Sequence, residues 1–413
     1  MSGAVPQKKY RGRLQQFVST IAKKHSLPAR RFLLDAMTGL LVAGDIKLSE
    51  WGRALGEKRK LIHVEKRLSR WMGSDRIDDA QLVDRYHAAI KPHLTPKHVI
   101  AVDDSDITKP RAKAMPFLTT VRDGSRGVLG KGWSLVTIEA VGPGGARAPL
   151  HLHLYSSAAP EYTSSNNETN VAIDDARGVV PKECIWAFDR GYDDAKFFDY
   201  LNGKGLRWVV RLQGQRKLYL PSGDVVATKE VAGRLPAQHV FTRPNAHWNN
   251  SALHVAWSRV RLNTYTKAGK SLGAGGKEFV VVVVDPRIPG VRPLVALTNI
   301  VPSSAAEAQA IVEAYFARWG VEEALRFEKQ CFNLEDVRVL RWPALKRAVT
   351  MTMLAYGFLG VVAHEAPGET RRLVERVARA FGDVPRYWFY RLRDALCVLL
   401  SMRLWNRYVL RPP

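Results

Sequence analysis

"KHVIAVDD", residues 97–104, is the stretch whose reading decides the fold. Four apolar residues, Val99 to Val102, run together and end in two acids, Asp103 and Asp104. A short apolar run of this kind reads as a buried strand. "ECIWAFDRGY" (183–192) repeats the pattern and delivers Asp189 at its end. Between them, "SLVTIEAVG" (134–142) and "APLHLHLYS" (148–156) read as strands joined by a "GPGG" turn. A helix is expected over about 168–179, then a helix in "DDAKFFDYLNG" and a strand in "RWVVRLQ". A meander followed by alternating helices and strands predicts a mixed α/β sheet. Asp189 also has a plainer reading, as the N-cap of the helix that follows.

Outward from this core the texture changes twice. Residues 213–300 carry short strand-like runs such as "KLYLP", "ALHVAW" and "EFVVVVVD" among Gly, Pro and Asn, and predict a β-rich insertion. Helical patterns occupy residues 1–95 and return from 303 onward, over 344–364, 367–382 and 386–408. The apolar run "VTMTMLAYGFLGVVA" (349–363) is shorter than the ~20 residues of a spanning helix and predicts a buried one, with no membrane partner. The basic start has no apolar stretch after it, so no signal peptide is expected. Three separated cysteines, Cys184, Cys331 and Cys397, suggest neither a disulfide framework nor a Cys metal site, and fit a reducing cytoplasm.

The net charge of +24 across 413 residues exceeds what solubility requires and points to a polyanionic partner. In "EKRKLIHVEKRLSRWM" (57–72), Leu61, Val64, Leu68 and Trp71 form an apolar stripe. Arg59, His63, Lys66, Arg67 and Arg70 gather opposite it. Paired with the short helix "KLSEWGRALG", which ends at Gly56, this helix could set a basic face in a nucleic acid groove. Solvated helix faces carry Lys and Arg for less specific reasons too.

"YFARWGVEEALRFEK" (315–329) reads as an amphipathic helix. At about 100° per residue, Tyr315, Arg318, Glu322 and Lys329 would share a sector of about 60°. The plain reading is a surface stripe with an Arg318–Glu322 ion pair. The other reading gathers Asp103, Asp189 and Glu322 at one rim of the sheet, where carboxylates need a cation between them. Hard oxygen donors favour Mg²⁺ or Mn²⁺, and two such ions about 3.5–4 Å apart suit phosphoryl transfer.

The spacing Tyr-x2-Arg-x3-Glu-x6-Lys resembles the Tyr-Arg-Glu-Lys signature of bacterial insertion-sequence DDE transposases. "VIAVDDSDITK" resembles that family's first-aspartate strand and "WAFDRGYDD" its second-aspartate segment. The resemblance runs from about 97 to 340 and implies an RNase H-like fold, of the retroviral-integrase type. It implies Asp103, Asp189 and Glu322 as metal ligands for two Mg²⁺ or Mn²⁺ ions, with Asp104 as the alternative to Asp103. Tyr315, Arg318 and Lys329 would grip phosphates, with Lys109 and Arg190 nearby. The domains would then be a basic DNA-binding region (1–95) and a catalytic core (96–212 and 301–340). A β-rich insertion (213–300) and a C-terminal helical region (341–413) would complete the chain.

Double-stranded DNA is the expected partner, both element ends and target, with a homodimer in the synaptic complex. A bacterial cytoplasmic, nucleoid-associated location is expected. A related nuclease that does not join ends, or a DNA-binding relic without catalysis, are the alternatives. One departure stands out. Some relatives place a Trp just before the signature helix, whereas "RPLVALTNIVP" has only aliphatics there, with Trp248 and Trp257 further upstream.

Overall fold

The structure is a computed structural model and describes residues 4–124, 127–243, 251–265 and 271–401. The chain opens on helices α1 (Ala4–Ile21), α2 (Leu27–Ala43), α3 (Leu48–Leu55), α4 (Leu61–Met72) and α5 (Asp79–Ile90). Strands β1 (Val99–Thr108), β2 (Thr119–Asp123), β3 (Val128–Val141) and β4 (Arg147–Tyr155) lead to α6 (Ser165–Arg177). Then come β5 (Ile185–Phe188), α7 (Ala195–Gly203), β6 (Arg207–Arg211), β7 (Lys217–Tyr219), β8 (Val225–Ala227) and β9 (His239–Thr242). They are followed by β10 (Ala252–Tyr265), β11 (Ser271–Asp285) and β12 (Leu294–Thr298). The chain closes with α8 (Ala305–Ala317), α9 (Trp319–Cys331), α10 (Trp342–Glu365), α11 (Pro367–Phe381) and α12 (Phe389–Leu400). Of the helix read over 386–408, the part beyond 401 lies outside the described residues, as does Trp248.

The chain divides into two compact units. The first comprises residues 1–95, 104–180 and 321–413, and the second residues 96–103 and 181–320. In the first unit, local signals start and end the helices, and the helix end read at Gly56 is among them. Gly44 and Gly56 end α2 and α3 in the left-handed conformation, at φ 61° and 62°. Asp78 caps α5 by accepting from the Gln81 N–H at 3.0 Å, and Ser164 caps α6 through Asn167.

Strands β2, β3 and β4 form the antiparallel meander, Thr119 opposite Gly132 and Ser134 opposite Tyr155. Gly132 is required here, because a Cβ would collide with the Ile107 carbonyl of β1. Helix α10 is long and apolar enough to cross a membrane by composition, yet 83% of its apolar window is buried inside the protein. Its Gly360 lets the helix approach the Arg147 carbonyl, which a Cβ would meet at 2.5 Å.

One acid in this unit breaks the usual rule for buried polar groups. Glu328 of α9 is 1% exposed, and neither carboxylate oxygen has a hydrogen-bond partner. Burial first, then the neighbouring Glu139 charge, holds its carboxyl well above the ordinary range. Glu139 is buried too, but it pairs with Arg147 at 3.2 Å and accepts from the Tyr356 hydroxyl. A raised folded-state pKa means the stability is complete below the unfolded value of 4.5 and declines as pH rises above it. Glu328→Gln should therefore become increasingly stable relative to wild type between pH 5 and 8, by up to about 1.4 kcal/mol per pH unit. Urea unfolding at several pH values checks this. A pH-independent difference would show that Glu328 titrates normally.

In the second unit, residues Val99–Val102 of β1 pair in parallel with β5, and β5 in parallel with β6. The stretch read as a β insertion does not stand apart from them. Strand β12 runs antiparallel to β6, with Leu297 opposite Val210, and β11, β10, β7 and β8 continue outward, with β9 beside β10. The physical reason lies in the unbroken apolar runs. Phe279–Val284 and Leu294–Leu297 are at most 7% exposed, as suits central strands buried on both faces. Helix α8 lies on this sheet and buries Ile311, Val312, Tyr315 and Phe316 against Val209, Val280, Val282 and Ala296.

Candidate active site

Asp103 follows Val102, the last β1 residue paired with β5, in a strand that does not stop at the acids but runs on to Thr108. Asp189 directly follows β5, at the edge where α/β sheets place their ligands. The side chain of Asp189 caps no helix; Asp194 caps α7 instead, accepting from the Lys196 N–H at 2.8 Å. The plainer reading of Asp189 therefore fails. What the two aspartates share is Arg318. Its guanidinium lies 3.2 Å from Asp103 and 3.9 Å from Asp189. The Tyr315 hydroxyl donates to Asp189 Oδ1 at 3.4 Å. Burial raises the Tyr315 phenol above its ordinary value, which keeps it protonated as a donor.

This places the signature residues differently from a solvent-facing stripe. The segment is not one uninterrupted helix: α8 ends at Ala317, Arg318 sits at the junction, and α9 starts at Trp319. Arg318 keeps right-handed helical dihedrals, and its N–H turns back to the Tyr315 carbonyl in a tightened bond. Tyr315 is 1% exposed and Arg318 3%. Neither offers its polar group to water, because the face of α8 that carries Tyr315 is the face packed on the sheet. Arg318 acts as counter-charge to two carboxylates that would otherwise repel.

In the first unit, Asp104 is exposed and lies on the opposite side of β1 from Asp103, as strand alternation requires. Its charge falls on Tyr155. Glu322 is exposed in the first turn of α9. Lys329 is not a free cation: it lies 3.3 Å from Glu335 and 3.9 Å from Asp106. Lys109 donates to the Glu335 carbonyl, and burial lowers its ammonium to about 8.

The helix read over 57–72 begins only at Leu61, so exposed Arg59 precedes α4, while on α4 His63, Lys66 and Arg70 are exposed and Val64, Leu68 and Met72 are buried. Arg67 departs from that set. It pairs with Asp35 at 2.6 Å and with Glu57, tying α4 to α2 instead of facing solvent.

The donor set of Asp103 and Asp189 suits a hard divalent cation, and both carboxylates already converge on one positive centre. Among the described residues no group of three or more His, Cys, Asp or Glu side chains is arranged to hold a metal.

Sequence comparison decides the family. The model of the transposase DDE domain matches residues 95–358, more than half of the chain. The protein belongs to the DDE transposase family. The match begins just before β1 and ends within α10, so both aspartates and the whole Tyr-Arg-Glu-Lys segment of this DDE transposase fall inside it. No curated protein matches its sequence. Among solved structures, the cryo-EM structure of a piggyBac transposase synaptic complex with hairpin DNA is similar. Its TM-score is 0.44 at 10% identity, over 97% of this chain and 79% of that one.

Reading the sequence missed the cations that line the surface beside Asp189. Arg211, Lys229 and Arg292 come from three segments of the second unit, and no spacing rule connects them.

Proposed function

We propose that the protein is a bacterial insertion-sequence transposase of the Tyr-Arg-Glu-Lys class, with an RNase H-like core. It binds the terminal inverted repeats of its element, cuts strands there and joins 3′-hydroxyl ends to target DNA. The observation that carries this reading is the shared engagement of Asp103 and Asp189 by Arg318, inside the matched family region. That engagement favours Asp103 over Asp104 as the first acid. Asp103, Asp189 and Glu322 would hold two Mg²⁺ or Mn²⁺ ions, whose chemistry when bound is to activate the attacking hydroxyl and stabilise the leaving oxygen.

The side chains of this chain do the positioning on which phosphoryl transfer depends. Arg318 neutralises the two aspartates in the free protein and can turn its fork to a phosphate when DNA is bound. Tyr315 fixes Asp189 by a hydrogen bond. Lys329 can exchange Glu335 and Asp106 for a phosphate, a weak attachment to give up at 3.3 and 3.9 Å. Lys66 and Arg70 on α4, with Arg59 just before it, provide exposed cations for duplex DNA, and the net charge of +24 favours association with it. A homodimer in the synaptic complex and a nucleoid location belong to the same proposal.

The test is incubation of wild type and Glu322→Gln with a duplex carrying the element end, with and without Mg²⁺ or Mn²⁺. Metal-dependent nicking at the element boundary, followed by joining to a target duplex, is expected for wild type and absent in the variant. Nicking without joining would replace the transposase with a nuclease. Equal activity of both proteins would remove Glu322 from the site.

A further inference from the structure

The second unit holds a cleft of about 620 Å³ with Asp189 in its wall. Its other polar lining comes from separate loops: Arg190 just after β5, Arg211 at the end of β6, Gln213 beyond it, Lys229 after β8 and Arg292 just before β12. Four cations thus face one carboxylate, and that carboxylate is already matched by Arg318 and Tyr315. Among the described residues, no carboxylate forms an ion pair with Arg190 or Arg292, and Lys229 reaches only Glu230, at 4.0 Å. Cations gathered in a concave site without acidic partners focus a positive potential into it.

We infer that this cleft clamps the sugar–phosphate backbone of a single, unpaired DNA strand beside the cut. The size fits one nucleotide unit of one strand, since small-molecule sites span roughly 300–1,000 Å³. The cleft cannot take a duplex. No aromatic ring lines it, so it offers nothing for a base to stack on and would hold phosphates irrespective of sequence. Arg190 and Arg292 supply forked donors, Lys229 a point charge, and Gln213 an amide to a phosphate or sugar oxygen. The stretch between Asp189 and Glu322 then serves the reaction by keeping a cleaved or separated strand in reach of Asp189. This deepens the transposase reading and rests on it for the origin of the strand.

The test measures fluorescence anisotropy of a labelled short oligothymidylate on the full-length protein, without divalent metal, across a salt series. Lys229→Gln/Arg292→Gln should bind about tenfold more weakly or worse. It should also lower the slope of log affinity against log salt by about 1.4, two phosphate contacts at about 0.7 each. Arg371→Gln on α11, an exposed cation outside the cleft and outside the basic face of α4, should leave this oligothymidylate affinity unchanged. Lys229→Arg/Arg292→Lys should restore the affinity, which separates lost charge from lost folding. Unchanged affinity and slope in the Gln pair would overturn the clamp. Competition by inorganic phosphate at constant ionic strength would overturn it too, in favour of a free-phosphate site. Because no cleavage is measured, failure of the nicking assay would leave this result standing.

Discussion

Asp189→Asn should lose strand cleavage by on the order of 10³-fold or more, at least the 10²–10³ cost of removing one donor to a developing oxyanion. That corresponds to about 4 kcal/mol of barrier. The change is isosteric. Asn keeps an oxygen to accept from Tyr315, now 3.4 Å away, and removes only the negative charge. Arg318 keeps its shorter contact to Asp103 at 3.2 Å, so the guanidinium does not become an uncompensated buried charge. Asp189 is itself a third exposed on its side chain, which limits its share in stability. Unfolding in urea should accordingly change by less than about 1 kcal/mol.

A large kinetic loss with a small stability change is what distinguishes a group acting on the reaction from one holding the fold. Asp104→Asn is the control, because Asp104 is exposed on the opposite side of β1 and should cleave like wild type. If Asp104→Asn fails and Asp189→Asn cleaves normally, the assignment of both acids is wrong.

The parts of this protein that could be read from sequence are those where one local rule acts alone. An unbroken apolar run before an acid gave β5 and the part of β1 that pairs with it, but not that β1 continues through Asp103 and Asp104 to Thr108. Gly56, which closes α3, was legible because a left-handed cap has few other solutions. The parts that were not legible depend on which side of an element meets its neighbour. A surface stripe was only the plain reading of Tyr315 and Arg318 and phosphate contact the other, but neither shows that Ile311, Val312 and Phe316 draw the same side of α8 onto the sheet. Arg67 looks like its neighbours in sequence, and only the fold brings Asp35 and Glu57 to it.

The β-rich stretch shows the same limit. Its short apolar runs predict strands but not that β12 returns to β6, since pairing over that distance in sequence is a tertiary choice. Glu328 is the extreme case: it sits in a polar-looking string, "RFEKQ", and nothing local marks it as an acid left dry.

Arg347→Met should destabilise the first unit by about 3–5 kcal/mol, the cost of breaking a buried charge pair from one side. Arg347 is a cation in the first turns of the apolar helix α10. In the structure it is 3% exposed and organises the turn between α4 and α5. Its Nε donates to Asp79 at 2.8 and 3.1 Å, and Nη2 to the same carboxylate at 3.0 Å. The remaining donors reach the carbonyls of Met72 at 2.7 Å, Ser74 at 2.9 Å and Ile77 at 2.8 Å. Met72 and Ser74 lie at or just beyond the carboxyl end of α4, where the helix dipole favours a cation.

Met fills the space but leaves those carbonyls and Asp79 without their donor. Burial already raises the Asp79 carboxyl, so without Arg347 it would take up a proton more readily. Arg347→Met/Asp79→Asn should therefore recover part of the loss, which a double-mutant cycle in urea would quantify. Because Arg347 holds the end of α4, the variant should also weaken duplex binding through Lys66 and Arg70 before the unit unfolds. A stability within about 1 kcal/mol of wild type would mean that water replaces the guanidinium at this turn, and the expected coupling between α10 and the basic helix would go with it.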